Sequence, residues 1–249
     1  MLELIAEAEA LRRQHPGCGV EKMYEVLKPC FVGRDRFVEL MMEAGFRLKR
    51  PRNVRRTTYP GKTYYPNLIK GMEVSAPSTV WQSDITYLSL GMRFYYAVFI
   101  IDVYSKKIVG YEVSRDMRAS ANVRALTKAL KGHTAPRIHH SDRGSQYTAA
   151  QYLALLKSCG SSISMGLKAQ DNAYAERVNR TIKEEYLDGW KAASFEQLKA
   201  QVVKAVKHYN CQRPHNHLGK LSPIAFEKQW HILSRSKRQV MTIFDDNNL

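Results

Sequence analysis

Apolar residues recur at helical spacing at the start of the chain. Leu2, Ile5, Ala6, Ala8 and Leu11 approximate one stripe, closed by His15-Pro16-Gly17. Val20, Met23, Tyr24 and Leu27 then fall at i, i+3, i+4 and i+7, and Phe37, Leu40, Met41 and Ala44 repeat the pattern before Gly45. The spacing predicts a compact helical unit of helix-turn-helix type. From Val80 the pattern becomes strand-like. Val80–Leu90 is β-branched and aromatic, Phe94–Ile101 is apolar, and Lys107–Val113 follows a Ser105-Lys106 turn. These read as three antiparallel strands. Helix over 119–131, strand over 137–140, helix over 148–158 and a short strand over 162–164 follow, so a mixed five-stranded sheet flanked by helices is expected. Ser194 should cap a helix running to about Asn210, and Ser222-Pro223 should open a last one through Trp230. The organisation expected is a helical module over 1–58, a linker over 59–79, an α/β core over 80–189, C-terminal helices completing that core over 190–233, and a fraying tail over 234–249.

Charge sharpens the picture. The chain of 249 residues carries 39 Lys+Arg against 23 Asp+Glu, a formal net charge of +16, which points to a polyanionic partner. No apolar run approaches the roughly 18 residues that span a bilayer, and Glu3, Glu7 and Glu9 at the N-terminus are unlike a secretory signal. Nucleic acid is therefore the expected partner, with no membrane and a cytoplasmic location. Arg47, Lys49, Arg50, Arg52, Arg55, Arg56 and Lys62 form a block without one acid, interleaved with Tyr59 and followed by Tyr64 and Tyr65, and this block is expected to face DNA. Cys18, Cys30, Cys159 and Cys211 are scattered and form no CxxC pair, so neither a disulfide framework nor zinc is expected.

Three acids stand out. His139-His140-Ser141-Asp142 ends a strand at a turn marked by Gly144, which places Asp142 at the strand's exit. Asp84 lies inside the strand-like run TVWQSDITYLSL, where a buried charge is costly without a metal or a basic partner. Beyond Asp171 a helical pattern puts Glu176, Asn179, Arg180 and Lys183 on one face, so one carboxylate and several phosphate-binding groups point the same way. Transfer of a phosphodiester needs an activated oxygen nucleophile and a stabilised leaving oxygen, and two metal ions about 3.5–4 Å apart meet both needs. Mg²⁺ prefers oxygen ligands and keeps waters, so a few convergent carboxylates suffice without histidine.

WQSDITY, HSDRGSQY and DNAYAERVNRTIKEEYL resemble the three acid motifs of bacterial insertion-sequence transposases of the DDE, retroviral-integrase-like superfamily. YNCQRPHNHLGKLSPIAF resembles their C-terminal ending, and GVEKMYEVLK with VGRDRFVELMMEAGF resembles the helix-turn-helix of the second reading-frame product of two-frame elements. Nearly the whole chain is covered. The resemblance implies a ribonuclease-H-like fold in which Asp84, Asp142 and Glu176 are the catalytic, metal-binding triad. It also implies Mg²⁺, with Mn²⁺ as a substitute, and cleavage and strand transfer at the ends of a mobile element. Asn179, Arg180 and Lys183 would grip DNA beside Arg47, Lys49, Arg50, Arg52, Arg55 and Arg56. The implied partners are double-stranded DNA at the element ends and target, further copies of the chain, and an upstream reading-frame product. The 33 residues between Asp142 and Glu176 are slightly fewer than the family's usual spacing, and the shortening falls in the MGLKAQ connection.

Blander readings stand beside these. Asp142 could shape a turn, and Glu176 and Lys183 could lie on a solvated helix face. Asp102 begins a hairpin and is expected to play no catalytic part, and His140 is expected to be a satisfied strand histidine rather than a ligand. Two other functions remain open at this point: a structure-selective or hybrid-directed nuclease on the same fold, or a DNA-binding regulator without catalysis.

Overall fold

The computed structural model describes residues 2–48 and 64–243. In chain order the helices and strands are α1 Leu2–Gln14, α2 Val20–Leu27, α3 Arg34–Glu43, β1 Glu73–Val74, β2 Val80–Leu90, β3 Arg93–Asp102, β4 Ile108–Ser114 and α4 Ala119–Gly132. They continue as β5 Ile138–Ser141, α5 Ala150–Ser158, β6 Ser162–Met165, α6 Ala173–Ile182, α7 Asp188–Trp190, α8 Phe195–Cys211, α9 Pro223–Ile232 and β7 Met241–Thr242. A 3-10 turn, Ala169–Asn172, precedes α6, and a π-helical turn, Lys183–Leu187, follows it. The chain forms two compact units, 56–180 with 223–249 and 1–55 with 181–222.

The first of these holds the sheet, in the order β4-β3-β2-β5-β6. β2, β3 and β4 pair antiparallel, whereas β2 with β5 and β5 with β6 run parallel. This is the mixed five-stranded sheet that the apolar pattern predicts. One face carries Trp81, Val98, Ile100 and Val109 against Ala121, Ala125, Leu126 and Ala129 of α4, with Tyr152 and Leu156 of α5 completing the core. Gly110 makes this packing possible, since a Cβ there would stand 2.6 Å from the Ala125 carbonyl oxygen. Asp102 is a buried structural acid. It ends β3 and accepts hydrogen bonds from the Ser78 N–H at 2.6 Å, the Ser105 N–H at 2.7 Å and the Ser105 hydroxyl at 2.9 Å.

The described end of the tail does not fray. Met241–Thr242 pairs with Glu73–Val74, the Ile243 N–H donates to the Met72 carbonyl at 2.9 Å, and the Ile243 side chain is buried with Ile69, Val74 and Val103. The linker supplies one strand and the tail the other, so their apolar residues leave water together.

In the other unit, Leu4 and Ala8 of α1, Val20 and Met23 of α2, and Phe37 and Met41 of α3 close a small core with Cys18 and Phe46. The segment 190–222 was expected to complete the sheet domain, but it groups with these helices instead. A buried acid ties these segments together. Glu185, on the π-helical turn, accepts from Arg213 Nε at 2.7 Å and its second guanidinium nitrogen at 2.8 Å, and also from Lys22 Nζ of α2. Gly17 N–H donates to the Glu185 carbonyl at 2.5 Å, an approach that only glycine permits, because a Cβ would meet the Glu185 Cα at 2.0 Å. Ser194 caps α8 as predicted, its hydroxyl accepting from the Gln197 N–H at 3.2 Å.

Candidate active site

The strand register sets two acids side by side. Val80 to Ser83 of β2 pair with Ile138 to Ser141 of β5, so the next residue on each parallel strand is Asp84 and Asp142. Paired residues of neighbouring strands project to the same face, and side chains alternate along each strand. Trp81 and Ile85 face the α4 and α5 core, which leaves Gln82 and Asp84 on the opposite face. Across that face lies α6. Gln82 Oε1 accepts from the Tyr174 and Ala175 N–H groups at 3.2 and 3.3 Å, and its Nε2 donates to the Asp171 carbonyl at 3.2 Å. Asn172 Nδ2 donates to the Ser83 carbonyl at 3.0 Å. Glu176 follows in the first turn of α6, where the helix dipole favours a negative charge.

Burial and mutual repulsion act on these acids. Burial pushes the Asp84 carboxyl up to about 8, with Asp142 and then Glu176 adding repulsion, while the Ile85 backbone and Asn179 hold it down. Glu176 is also raised, first by its burial and further by Asp142, against the pull of Arg180. Asp142 is fixed by the Gly144 N–H, which donates to its Oδ1 at 2.9 Å. Among the described residues no three His, Cys, Asp or Glu side chains are gathered tightly enough to hold an ion between them. The donor set nonetheless suits Mg²⁺, which is commonly held by one or two carboxylates together with waters and substrate phosphates rather than by a complete protein cage. A cation near these acids would favour their charged forms, against the burial and repulsion that raise Asp84 and Glu176.

The residues expected to grip DNA divide. Asn179 is buried, and its Nδ2 donates to Asp84 Oδ2 at 2.7 Å, so it orients a carboxylate instead of meeting a phosphate. Helical periodicity put it on the face of Glu176, but periodicity does not say which part of that face the sheet covers. Arg180 is exposed beside Glu176. Lys183 is half-buried and lies near Asp188, whose carboxyl its charge lowers against a larger upward push from burial. Arg47 is exposed, while Lys49, Arg50, Arg52, Arg55, Arg56 and Lys62 lie outside the described residues. The strand histidines face opposite ways: His139 Nε2 meets the Tyr152 hydroxyl at 3.0 Å and His140 Nδ1 the Ser164 hydroxyl at 2.8 Å. Sequence reasoning missed Gln82 and Asn172. A polar residue two positions before Asp84 in an otherwise apolar strand was the available signal for the first.

Comparison with known proteins identifies the family and the fold. The family model described as an integrase core domain matches residues 74–170, and a second integrase core domain model matches residues 158–223. An uncharacterized 31 kDa protein of insertion element IS600 from Shigella sonnei is 35% identical over 208 residues, covering 80% of this chain and 76% of that protein. The transposase for insertion sequence element IS904 from Lactococcus lactis is 34% identical over 169 residues, covering 66% of this chain and 67% of the relative. Among solved structures, the HTLV-2 integrase catalytic core in complex with magnesium aligns with a TM-score of 0.52 at 15% identity, covering 65% of this chain and 99% of that core. A chain of a simian T-cell lymphotropic virus intasome aligns with a TM-score of 0.53 at 15% identity, covering 88% of this chain and 73% of its own length. At these identities the structural matches establish the ribonuclease-H-like fold alone, whereas the sequence matches establish kinship. The chain belongs to the insertion-sequence transposases with an integrase core domain, enzymes of the DDE transposase and integrase class.

Proposed function

We propose that Asp84, Asp142 and Glu176 are the catalytic carboxylates with which this transposase cuts the ends of its mobile element and joins them to target DNA. The observation that carries the assignment is the β2–β5 register, which brings Asp84 and Asp142 together on the face covered by the helix of Glu176. These acids would hold Mg²⁺, or Mn²⁺ in its place. When bound, the metal supplies charge neutralisation and activation of the attacking oxygen, first of water and then of the freed 3′-hydroxyl. The magnesium in the related HTLV-2 core supports that choice of ion.

The chain's own groups set the geometry. Asn179 turns the Asp84 carboxylate by donating to one of its oxygens, and the Gly144 N–H does the same for Asp142. Arg180, exposed one turn after Glu176, would meet the DNA backbone, and Lys183, which opens the π-helical turn after α6, would do the same. The substrate is double-stranded DNA at element ends and target, and the site of action is cytoplasmic. Dimeric and trimeric forms of the HTLV-2 core support a homo-oligomer on DNA, and an upstream reading-frame product is the further partner.

The test is incubation with labelled duplexes carrying the element's ends and Mg²⁺, scoring cleavage and joining separately. Asp84→Asn, Asp142→Asn and Glu176→Gln should each abolish both reactions while DNA binding persists. Near-normal activity in any one of them removes that residue from the site.

A further inference from the structure

Gln82 is the least explained polar group near the acids. It lies in the sheet interior with no solvent exposure, yet it carries an amide that costs free energy to bury unless it is bonded. Its three bonds all go to one place. They reach the Asp171 carbonyl and the Tyr174 and Ala175 N–H groups, which straddle the start of α6. The first N–H groups of a helix have no partner within it and usually take one from a nearby Ser, Thr, Asp or Asn. In α6 two of them are satisfied by a strand residue some ninety positions earlier in the chain. The helix start is thereby registered to β2, not to the segment that precedes it.

That registration has a chemical consequence. The residue after Ala175 is Glu176, and the residue two after Gln82 is Asp84. Asn172 adds a bond to the Ser83 carbonyl beside it, and Asn179 closes the far side on Asp84. We propose that Gln82 is a positioning residue for catalysis: by capping α6 from β2 it sets Glu176 against Asp84 and so determines how well the pair takes up a divalent cation. This inference rests on the assignment of the acids made above. Nothing in it requires Gln82 to touch metal or DNA. Misplacement of a reacting group by about 1 Å can lower a rate on the order of a hundredfold.

The experiment compares Gln82→Met, which keeps the length of the side chain and loses all three bonds, with Ile243→Ala, which loosens the same unit at the buried β1–β7 end. Two quantities are read in each: the Mn²⁺ concentration that half-saturates the rise in melting temperature without DNA, and the Mg²⁺ concentration that half-saturates joining. The expected result for Gln82→Met is a rise of about tenfold or more in both midpoints, with duplex affinity within about twofold of wild type; the Ile243→Ala midpoints should stay in place. Unchanged midpoints in Gln82→Met overturn the proposal, and so does an equal shift in both variants, which would mean general loosening. If Gln82→Met fails to fold, Asn172→Ala removes the neighbouring tie between the same elements, and unchanged midpoints there are equally fatal. Glu176→Gln serves as the reference. If it remains active, the assignment of the acids has failed; if it is inactive while Gln82→Met reads as wild type, only the role of Gln82 has.

Discussion

Glu185→Gln is the substitution whose cost is best defined by the structure. The Glu185 side chain is 16% exposed, its Arg213 partner 13% and its Lys22 partner 29%, so the cluster is largely shielded from water. Burial alone would raise the carboxyl, but the hydrogen bonds and charge of Arg213, then those of Lys22, carry it below the ordinary glutamate value. Gln keeps the shape and leaves two cations facing a neutral amide. Removing one partner of a buried pair costs about 3–5 kcal/mol, and residual solvent contact argues for the low end, about 3 kcal/mol. In a unit of roughly 100 residues, each kcal/mol moves the melting temperature by about 4–8 °C, so a loss of about 12 °C or more is expected. The signal to follow is Trp190, whose ring lies 5.5 Å from Tyr186 in the same unit and whose indole N–H donates to the Arg13 carbonyl. With fluorotryptophan incorporated, its resonance can be separated from those of Trp81 and Trp230. The pH dependence has a definite sign. A carboxyl depressed in the folded state stabilises fully above its unfolded value and loses that contribution as pH falls through the folded one. The gap between wild type and Glu185→Gln should therefore be constant from pH 8 to about 5 and close in stronger acid. A variant within about 0.5 kcal/mol of wild type at pH 7, the scale of a solvent-exposed ion pair, would refute the reasoning.

Two further expectations concern the sheet unit. Asp102→Asn can keep one accepting oxygen but must turn an NH₂ toward one of the donors now bonded by the carboxylate, so a loss of about 1–3 kcal/mol is expected in denaturant titration, while the joining rate per folded molecule stays unchanged. Lys106 is buried, and burial lowers its ammonium to about 7 against the support of Asp102, with its Nζ 4.1 Å from the Tyr174 ring centre. Between pH 7 and 10.5 the folded amine is neutral while the unfolded one holds its proton, so stability should rise with pH by up to about 1.4 kcal/mol per unit across that window and level off below about pH 7 and above about pH 10.5. Lys106→Met should remove that slope, and an identical pH profile for the two proteins would show that Lys106 is not buried as charge.

Much of this was legible before any coordinates. The strands of the sheet announce themselves because they are long or bounded by Gly and polar turns, and Asp84 and Asp142 stand out because an acid inside or just after an apolar strand is expensive. Three features were not legible, for different reasons. β1 and β7 are two residues each, too short for any period, and exist because two distant segments bury Ile69, Val74 and Ile243 together. The grouping of 190–222 with the N-terminal helices involves Glu185, which meets both Arg213 and Lys22, residues that look like ordinary surface charges in sequence. Asn179 lies on the helix face that periodicity gives, and there its amide meets Asp84. Its amide suits a phosphate or a carboxylate equally, and only packing decides between them.

The location of the positive charge bears on how DNA is held. Residues 2–43, which contain α1, α2 and α3, carry eight acids against six Lys and Arg, in a chain whose net charge is +16. On α3 itself Arg34 is paired with Glu21 and Asp35, and Arg36 with Glu39. A helix so neutralised has little net attraction for a duplex, whose phosphates supply most of the non-specific binding energy. The sequence block from Arg47 to Lys62 contains no acid. Replacing Arg47, Lys49, Arg50, Arg52, Arg55 and Arg56 by Gln should weaken duplex binding and flatten its dependence on salt, each lost phosphate contact reducing the log–log slope by about 0.9. Arg34→Gln with Arg36→Gln should leave the slope within about one unit of wild type. Fluorescence anisotropy with a labelled duplex between about 50 and 200 mM salt covers the range where such differences are large. If the α3 pair flattens the slope as much as the six-residue block does, α3 and not the Arg47 block carries the electrostatic grip.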